Sequence, residues 1–208
     1  MRLLEKLIEA TLWTKWWPII SLASLLVTIL VLSIVLGVRC AVCMTGALFA
    51  HEMGHYLMLR KYEVPCAMPF LRIVDGGVPS YYYTGLRPSA VAWIKTAGPW
   101  GGMLCLFALL MFYEVDPLWA RPILFTGFVF GIGSLLDLLP TKTYDGRTLF
   151  QVIFTGAHQD ASEQESIVIR VAWALHLGMT AMFAIGLVYI SYMLAQYKNI
   201  WLILPGII

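Results

Sequence analysis

The chain has 208 residues, of which 60% are hydrophobic and 12% are charged, with a mean hydropathy of +0.79 and a formal net charge of +2. Soluble domains carry about 25% charged residues, so this composition excludes an ordinary water-soluble domain and indicates a membrane protein. The small net charge also argues against a nucleic-acid partner.

The first segment, residues 1–16, places apolar side chains at helical spacing and charged side chains on another face, and tryptophans gather at its end. This pattern predicts an amphipathic interfacial helix on the membrane surface, with a solvated N-terminal helix as the alternative. The segment is too charged for the apolar core of a signal peptide. The apolar run that follows is therefore expected to remain as an anchor.

Five apolar stretches are predicted to cross a hydrocarbon core about 30 Å thick. They lie at residues 19–38, 40–59, 93–113, 122–139 and 171–195. Between the second and third, residues 60–92 carry prolines and glycines around short β-prone runs, which predicts one or two hairpins. The predicted fold is an all-α polytopic membrane protein with about five transmembrane helices. A small membrane-associated β-hairpin region lies between the second and third helices, and the single domain spans residues 1–208.

Lysine and arginine are concentrated on one side of these predicted spans. The positive-inside rule therefore puts the N-terminus, the hairpin region and the loop that carries Asp145 in the cytoplasm. The compact chain favours a prokaryotic cytoplasmic membrane as its location.

The central motif is His51-Glu52-Met53-Gly54-His55, an H-E-x-x-H inside the second predicted span. Helical residues four apart share a face, so the two imidazoles can hold one Zn²⁺ while Glu52 takes a proton from the activated water. A charged residue inside a span costs about 2.5–3.5 kcal/mol on insertion scales, and a metal ion would compensate for it. The alternative is a hydrogen-bonded polar cluster between helices.

A catalytic zinc takes three protein ligands, so a third is expected. The sequence offers Asp75, Asp137, Asp145 and His176. Asp145 is preferred because it follows the fourth predicted span on the same membrane side as the His55 end of the motif. Asp75 lies among glycines in a predicted turn, and His176 is more simply interpreted as a packing histidine of the fifth span.

These residues resemble the site-2 protease family of intramembrane metalloproteases. Three elements match in order and spacing. They are the H-E-x-x-H at 51–55, Ala97-Gly98-Pro99 at the start of the next span, and Leu138-Leu139-Pro140 followed by Asp145-Gly146-Arg147. The resemblance covers residues 40–156, which would be the catalytic core, and the stretch with predicted hairpins fits the family's membrane-associated sheet.

The resemblance implies one Zn²⁺ per chain, held by His51, His55 and Asp145, with Glu52 as the general base. It also implies that the substrate is a transmembrane segment of a membrane protein or peptide, cleaved after its helix has locally unwound. The hairpins at 62–90 could pair with this extended segment by strand addition.

Asp137, Gly98 and Pro99 are the candidate residues for contacting the substrate or the developing oxyanion. In two places the chain departs from the family pattern, because relatives usually carry Asn where this chain has Asp137 and Gly102. Amide groups are suitable neutral donors for an oxyanion. A protonated Asp137 could donate in the same way, whereas its ionised form would oppose the negative charge.

The sequence thus predicts an intramembrane zinc endopeptidase that acts within the lipid bilayer. One alternative is a catalytically weak or inactive binding module for membrane proteins on the same scaffold, suggested by the two altered Asn positions. The other is a metal transporter, which would require polar or acidic residues along more than one span.

Overall fold

The computed structural model describes residues 2–72, 75–77, 86–111, 117–137, 139 and 163–198. In chain order the elements are α1 (Arg2–Leu36), α2 (Val38–Lys61), β1 (Phe70–Arg72), β2 (Asp75–Gly77), α3 (Pro88–Met111), α4 (Pro117–Asp137) and α5 (Glu163–Lys198). The predicted loop that carries Asp145 lies outside these residues.

Four of the five helices in the described part of the chain are long and apolar enough to cross a membrane. Their apolar stretches are Trp16–Leu36, Ser89–Met111, Leu118–Asp137 and Trp173–Leu194. They coincide with the predicted first, third, fourth and fifth spans, so the chain is a mainly helical membrane protein. The stretch predicted as the second span, 40–59, is not among the four, because the ionisable residues of the motif lower the hydropathy of α2. Its crossing of the membrane stays a prediction.

Helix α1 is continuous from Arg2 to Leu36, so the predicted interfacial segment and the first span belong to one helix. It is separated from α2 by Gly37 alone, which has φ 78° and ψ 155°. Side chains with a Cβ rarely adopt this conformation, so glycine at this position is what lets the chain reverse without a longer loop.

Helix α2 ends in a Schellman motif. Glu63 adopts a left-handed φ of 56°, its N–H donates to the Arg60 carbonyl, and the N–H of Val64 donates to the Leu59 carbonyl at 2.9 Å. Leu59 and Val64 then pack together in one apolar cluster. The two hydrogen bonds and this contact satisfy the carbonyls of the last turn and stop the helix.

The helices pack around α2, which contacts α1, α3 and α4, while α5 packs mainly against α4. Among the described residues, the largest buried cluster is formed by side chains of α2, α3, α4 and α5. Its members are Ala47, Met103, Leu106, Phe130, Ala184 and Leu187.

The two short strands form an antiparallel pair within the stretch predicted to contain hairpins. Their register pairs Phe70 with Gly77, Leu71 with Gly76 and Arg72 with Asp75. Both strands contact α2, and β1 also contacts α1. The pair therefore lies beside the helix that carries the H-E-x-x-H motif.

Candidate functional site

The two histidines of the motif meet on one face of α2. His51 and His55 are both more than nine-tenths buried, and their Nε2 atoms are 3.2 Å apart. The imidazole rings cross at 75° with centroids 4.9 Å apart. The helical spacing of four residues thus produces the convergence of two nitrogen atoms that the sequence predicts.

The orientation of His55 is fixed by a backbone carbonyl of α3. Its Nδ1 lies 2.6 Å from the carbonyl oxygen of Ile94. Because a carbonyl only accepts, Nδ1 carries the hydrogen, and in the neutral ring Nε2 is the acceptor atom and faces His51. A hydrogen bond of this kind on the second ring nitrogen is a recurrent feature of histidines that bind metals.

The spacing of the two Nε2 atoms allows a direct test of whether zinc fits. Two nitrogen ligands at about 2.0–2.1 Å from a tetrahedral zinc lie about 3.3 Å apart. The observed separation of His51 and His55 is 3.2 Å. The pair therefore matches two corners of a tetrahedral site. The same distance also suits a hydrogen bond from His51 to His55, which is the polar-cluster alternative.

Glycine residues allow α2 and α3 to approach closely around the histidines. A Cβ at Gly98 would overlap the imidazole of His55, so this position must lack a side chain for His55 to hold its place. A Cβ at Gly54 would overlap the carbonyl of Ala97, and one at Gly101 would overlap that of Ala50. Small residues at such spacing are what permits close backbone contact between membrane helices.

The Phe130 ring of α4 packs against the His51 ring. The two rings are 6.0 Å apart at 71°. A Cβ at Gly102 would overlap the Phe130 ring and lie 3.4 Å from the His51 Cβ. The absence of a side chain at position 102 therefore leaves room for the aromatic ring that fills the space beside His51.

Of the acidic residues predicted for the site, the structure describes Glu52 and Asp137 but not Asp145. Glu52 is half-buried on α2 between the two histidines, and Asp137 is half-buried at the end of α4. Asp145 lies outside the described residues, so its predicted role as third ligand stays a prediction. Among the residues that the structure describes, three or more His, Cys, Asp or Glu side chains nowhere form a group able to hold a metal ion.

His176 lies in an aromatic cluster on α5. Its Nε2 accepts a hydrogen bond of 3.1 Å from the indole N–H of Trp100, and its ring lies 4.6 Å from that of Trp93 and 5.7 Å from that of Trp173. This environment supports the interpretation of His176 as a packing histidine, because its Nε2 is already used.

Two groups around the site were not predicted from the sequence, namely the Ile94 carbonyl and the Phe130 ring. A backbone carbonyl leaves no signal in a sequence, and Phe130 is one of ten phenylalanines in an apolar chain. Gly98 and Pro99 were predicted as substrate residues. Gly98 makes room for His55, Pro99 is buried within α3, and their roles toward a substrate stay predictions.

Comparison with protein-family models, with curated proteins and with solved structures finds no match to this chain. The geometry of the site and the sequence resemblance are therefore the basis for the function proposed next.

Proposed function

We propose that this chain is an intramembrane zinc endopeptidase of the site-2 protease type, which cleaves a transmembrane segment of membrane-protein substrates. The observation that carries the proposal is the pair of buried imidazoles, with Nε2 atoms 3.2 Å apart and the tautomer of His55 set by Ile94. Buried histidines that converge at this distance have the spacing of two zinc ligands.

In the proposed hydrolysis each residue of the site has a separate role. His51 and His55 would hold the metal, and Asp145 is the proposed third ligand. Glu52 receives a proton from the attacking water and passes it to the leaving amine. When bound, zinc supplies Lewis-acid stabilisation of the developing negative charge. Phe130 and the close contact of α2 with α3 exclude bulk water from the histidines.

The strand pair supports a membrane-protein substrate. A peptide bond within a helix is shielded, so a transmembrane segment must be locally extended before it is cut. Extended backbone is recognised by pairing with a sheet edge. β1 and β2 contact α2, so a segment that joined this sheet would lie beside the helix that carries the motif.

The first test combines Glu52→Gln with a set of reporters. Each reporter carries a fluorescent protein on a single transmembrane segment that contains helix-destabilising Gly and Pro residues. We expect the wild-type chain to release the fluorescent protein, and Glu52→Gln to lower the rate at least about a thousandfold while zinc content stays unchanged. Glu63→Gln is the matched control, since Glu63 is exposed at the end of α2 and should keep the wild-type rate. Undiminished cleavage by Glu52→Gln would reject the mechanism.

A second candidate is a non-catalytic module that binds membrane proteins. The observation that favours it is the Phe130 ring, which fills the space beside His51 at the point where the family usually has an Asn side chain. In that case the two histidines form a hydrogen bond without a metal. Absence of zinc from the purified wild type and absence of cleavage of every reporter would support this candidate.

A further inference from the structure

Helix α1 exposes apolar side chains and buries polar ones, which is the opposite of an amphipathic helix in a soluble protein. Its outer residues are apolar, and four of them are 57% to 82% exposed, namely Leu22, Leu26, Leu30 and Ile34. Its inner face carries Trp17, Ser21, Ser24 and Thr28, three of which are at least nine-tenths buried. These inner residues are separated by four, three and four positions, so they form one line along the helix.

Three of the inner side chains bind the backbone of residues 68–71, which lead into and include the start of β1. The indole N–H of Trp17 donates to the Met68 carbonyl, and the hydroxyl of Ser21 donates to the Pro69 carbonyl. The N–H of Leu71 donates to Ser24 Oγ at 3.1 Å.

The hydroxyl of Ser24 is oriented by its own helix. It donates to the Ser21 carbonyl at 2.8 Å, which leaves an oxygen lone pair for the N–H of Leu71. The Trp17 ring also meets the Phe70 ring edge-on, with centroids 5.9 Å apart. Side chains of α1 thus supply the donors and the acceptor that a neighbouring strand would supply through its backbone.

The hydrogen bonds identify which edge of β1 is closed. In an antiparallel pair, successive residues of a strand direct their N–H and C=O groups to opposite edges. Leu71 N–H is bonded to α1, so its backbone faces away from β2, and β2 occupies the other edge. Both edges of β1 are therefore occupied, one by a strand and one by a helix.

We propose that Trp17, Ser21 and Ser24 are positioning residues that make α1 act as a substitute strand on β1. They fix the strand pair beside α2 and bar a substrate backbone from this edge of β1. The part that concerns the substrate rests on the function proposed above, whereas the substitute-strand contact does not.

The contact is tested by amide hydrogen exchange on the full chain in detergent micelles. Ser24→Ala removes the acceptor of the Leu71 N–H, so we expect that amide to exchange about tenfold faster or more. Ser33→Ala is the matched control, because the Ser33 hydroxyl donates only within α1, to the Ile29 carbonyl at 2.6 Å. Ser24→Thr keeps a hydroxyl and should restore the protection. Equal exchange at Leu71 in Ser24→Ala and in Ser33→Ala would overturn the proposal.

The consequence for the substrate is tested by reporter kinetics with the double variant Ser21→Ala/Ser24→Ala. We expect KM to rise about three- to tenfold with kcat changed less than about twofold, and zinc content to stay at the wild-type value. A fall in kcat at constant KM would contradict positioning. If the wild type cleaves no reporter, the proposed protease function and this substrate role both fail, while hydrogen exchange still decides whether α1 replaces a strand.

Discussion

Helices α1 and α3 both contact α2, but they do so through different chemistry. In the apolar stretch of α3, 44% of residues are buried, against 11% in that of α1. Glycines let α3 approach α2 closely. At these positions the backbone of one helix contacts the backbone of the other or the imidazole of His55. α1 turns apolar side chains outward and hydrogen-bonds to β1 through a line of polar ones. In this protein tight packing fixes the histidines, and polar side chains fix the strands beside them.

The largest expected difference between α3 and α1 is the loss of stability when one leucine on each helix is replaced by alanine. Leu106 of α3 is fully buried, whereas Leu30 of α1 is 67% exposed. We expect Leu106→Ala to lower the free energy of unfolding by about 2–5 kcal/mol, because it leaves a cavity in the largest cluster. Leu30→Ala should change it by less than about 0.5 kcal/mol. Both free energies are measured by unfolding the variants in mild detergent and following tryptophan fluorescence. Similar losses in the two variants would contradict the difference in packing between α3 and α1.

The close approach of α2 and α3 is tested by adding one methyl group. Gly54→Ala would force a Cβ into the Ala97 carbonyl, and we expect a loss of about 1–3 kcal/mol. Gly46 is the control on the same helix, since a Cβ there meets nothing within 4 Å. Gly46→Ala should be neutral or stabilise by up to about 1 kcal/mol through helix propensity. A neutral Gly54→Ala would mean that the helices do not touch at this point.

The same contact predicts an effect on metal affinity. Gly98→Ala displaces the His55 ring, so we expect zinc affinity to fall about 10- to 100-fold, as when a supporting contact of a metal ligand is lost. Gly133→Ala, where the added Cβ has open space, should bind zinc as the wild type does. Competition with a fluorescent zinc chelator measures both variants. Unchanged zinc affinity in Gly98→Ala would contradict the role of His55 as a zinc ligand.

The smallest expected effect concerns Cys66, which lies between α2 and β1. Burial raises the pKa of the Cys66 thiol, and the Arg60 guanidinium lowers it to a smaller extent. A raised pKa means less thiolate at pH 8, so alkylation by iodoacetamide should be slower than for an exposed thiol and should keep rising above pH 9.

Replacement of Arg60 shows the sign of its contribution. Arg60→Gln removes the favourable charge, so the pKa rises further and alkylation of Cys66 at pH 8 should slow by about twofold, a small effect because water and salt screen the exposed guanidinium. Arg121→Gln on α4 serves as the control, and peptide mass spectrometry resolves Cys66 from the other thiols. Faster labelling in Arg60→Gln would contradict this assignment.

Much of the architecture could be predicted because composition and helical periodicity are local properties. The four apolar helices and the shared face of His51 and His55 follow from such patterns. The Ile94 carbonyl, the Phe130 ring and the hydrogen bonds between Ser24 and Leu71 could not be predicted. Each joins residues 39 or more positions apart, and such contacts depend on how the helices pack.

The helix that carries the motif illustrates a different limit of sequence patterns. His51, Glu52 and His55 give the strongest functional signal in the chain, and the same residues make α2 too polar to resemble a membrane span. Ionisable residues of the kind that a functional site needs therefore weaken the hydropathy signal of the helix that carries them.

The most direct test of the central claim is the zinc content of the purified wild-type chain beside Asp145→Ala, with Asp160→Ala as a control for the loss of a different carboxylate of the chain. The account predicts one zinc per chain in the wild type and in Asp160→Ala, and a sharp fall in Asp145→Ala. A wild type that stays free of zinc after metal is added back would contradict it, and full zinc content in Asp145→Ala would reject Asp145 as the third ligand.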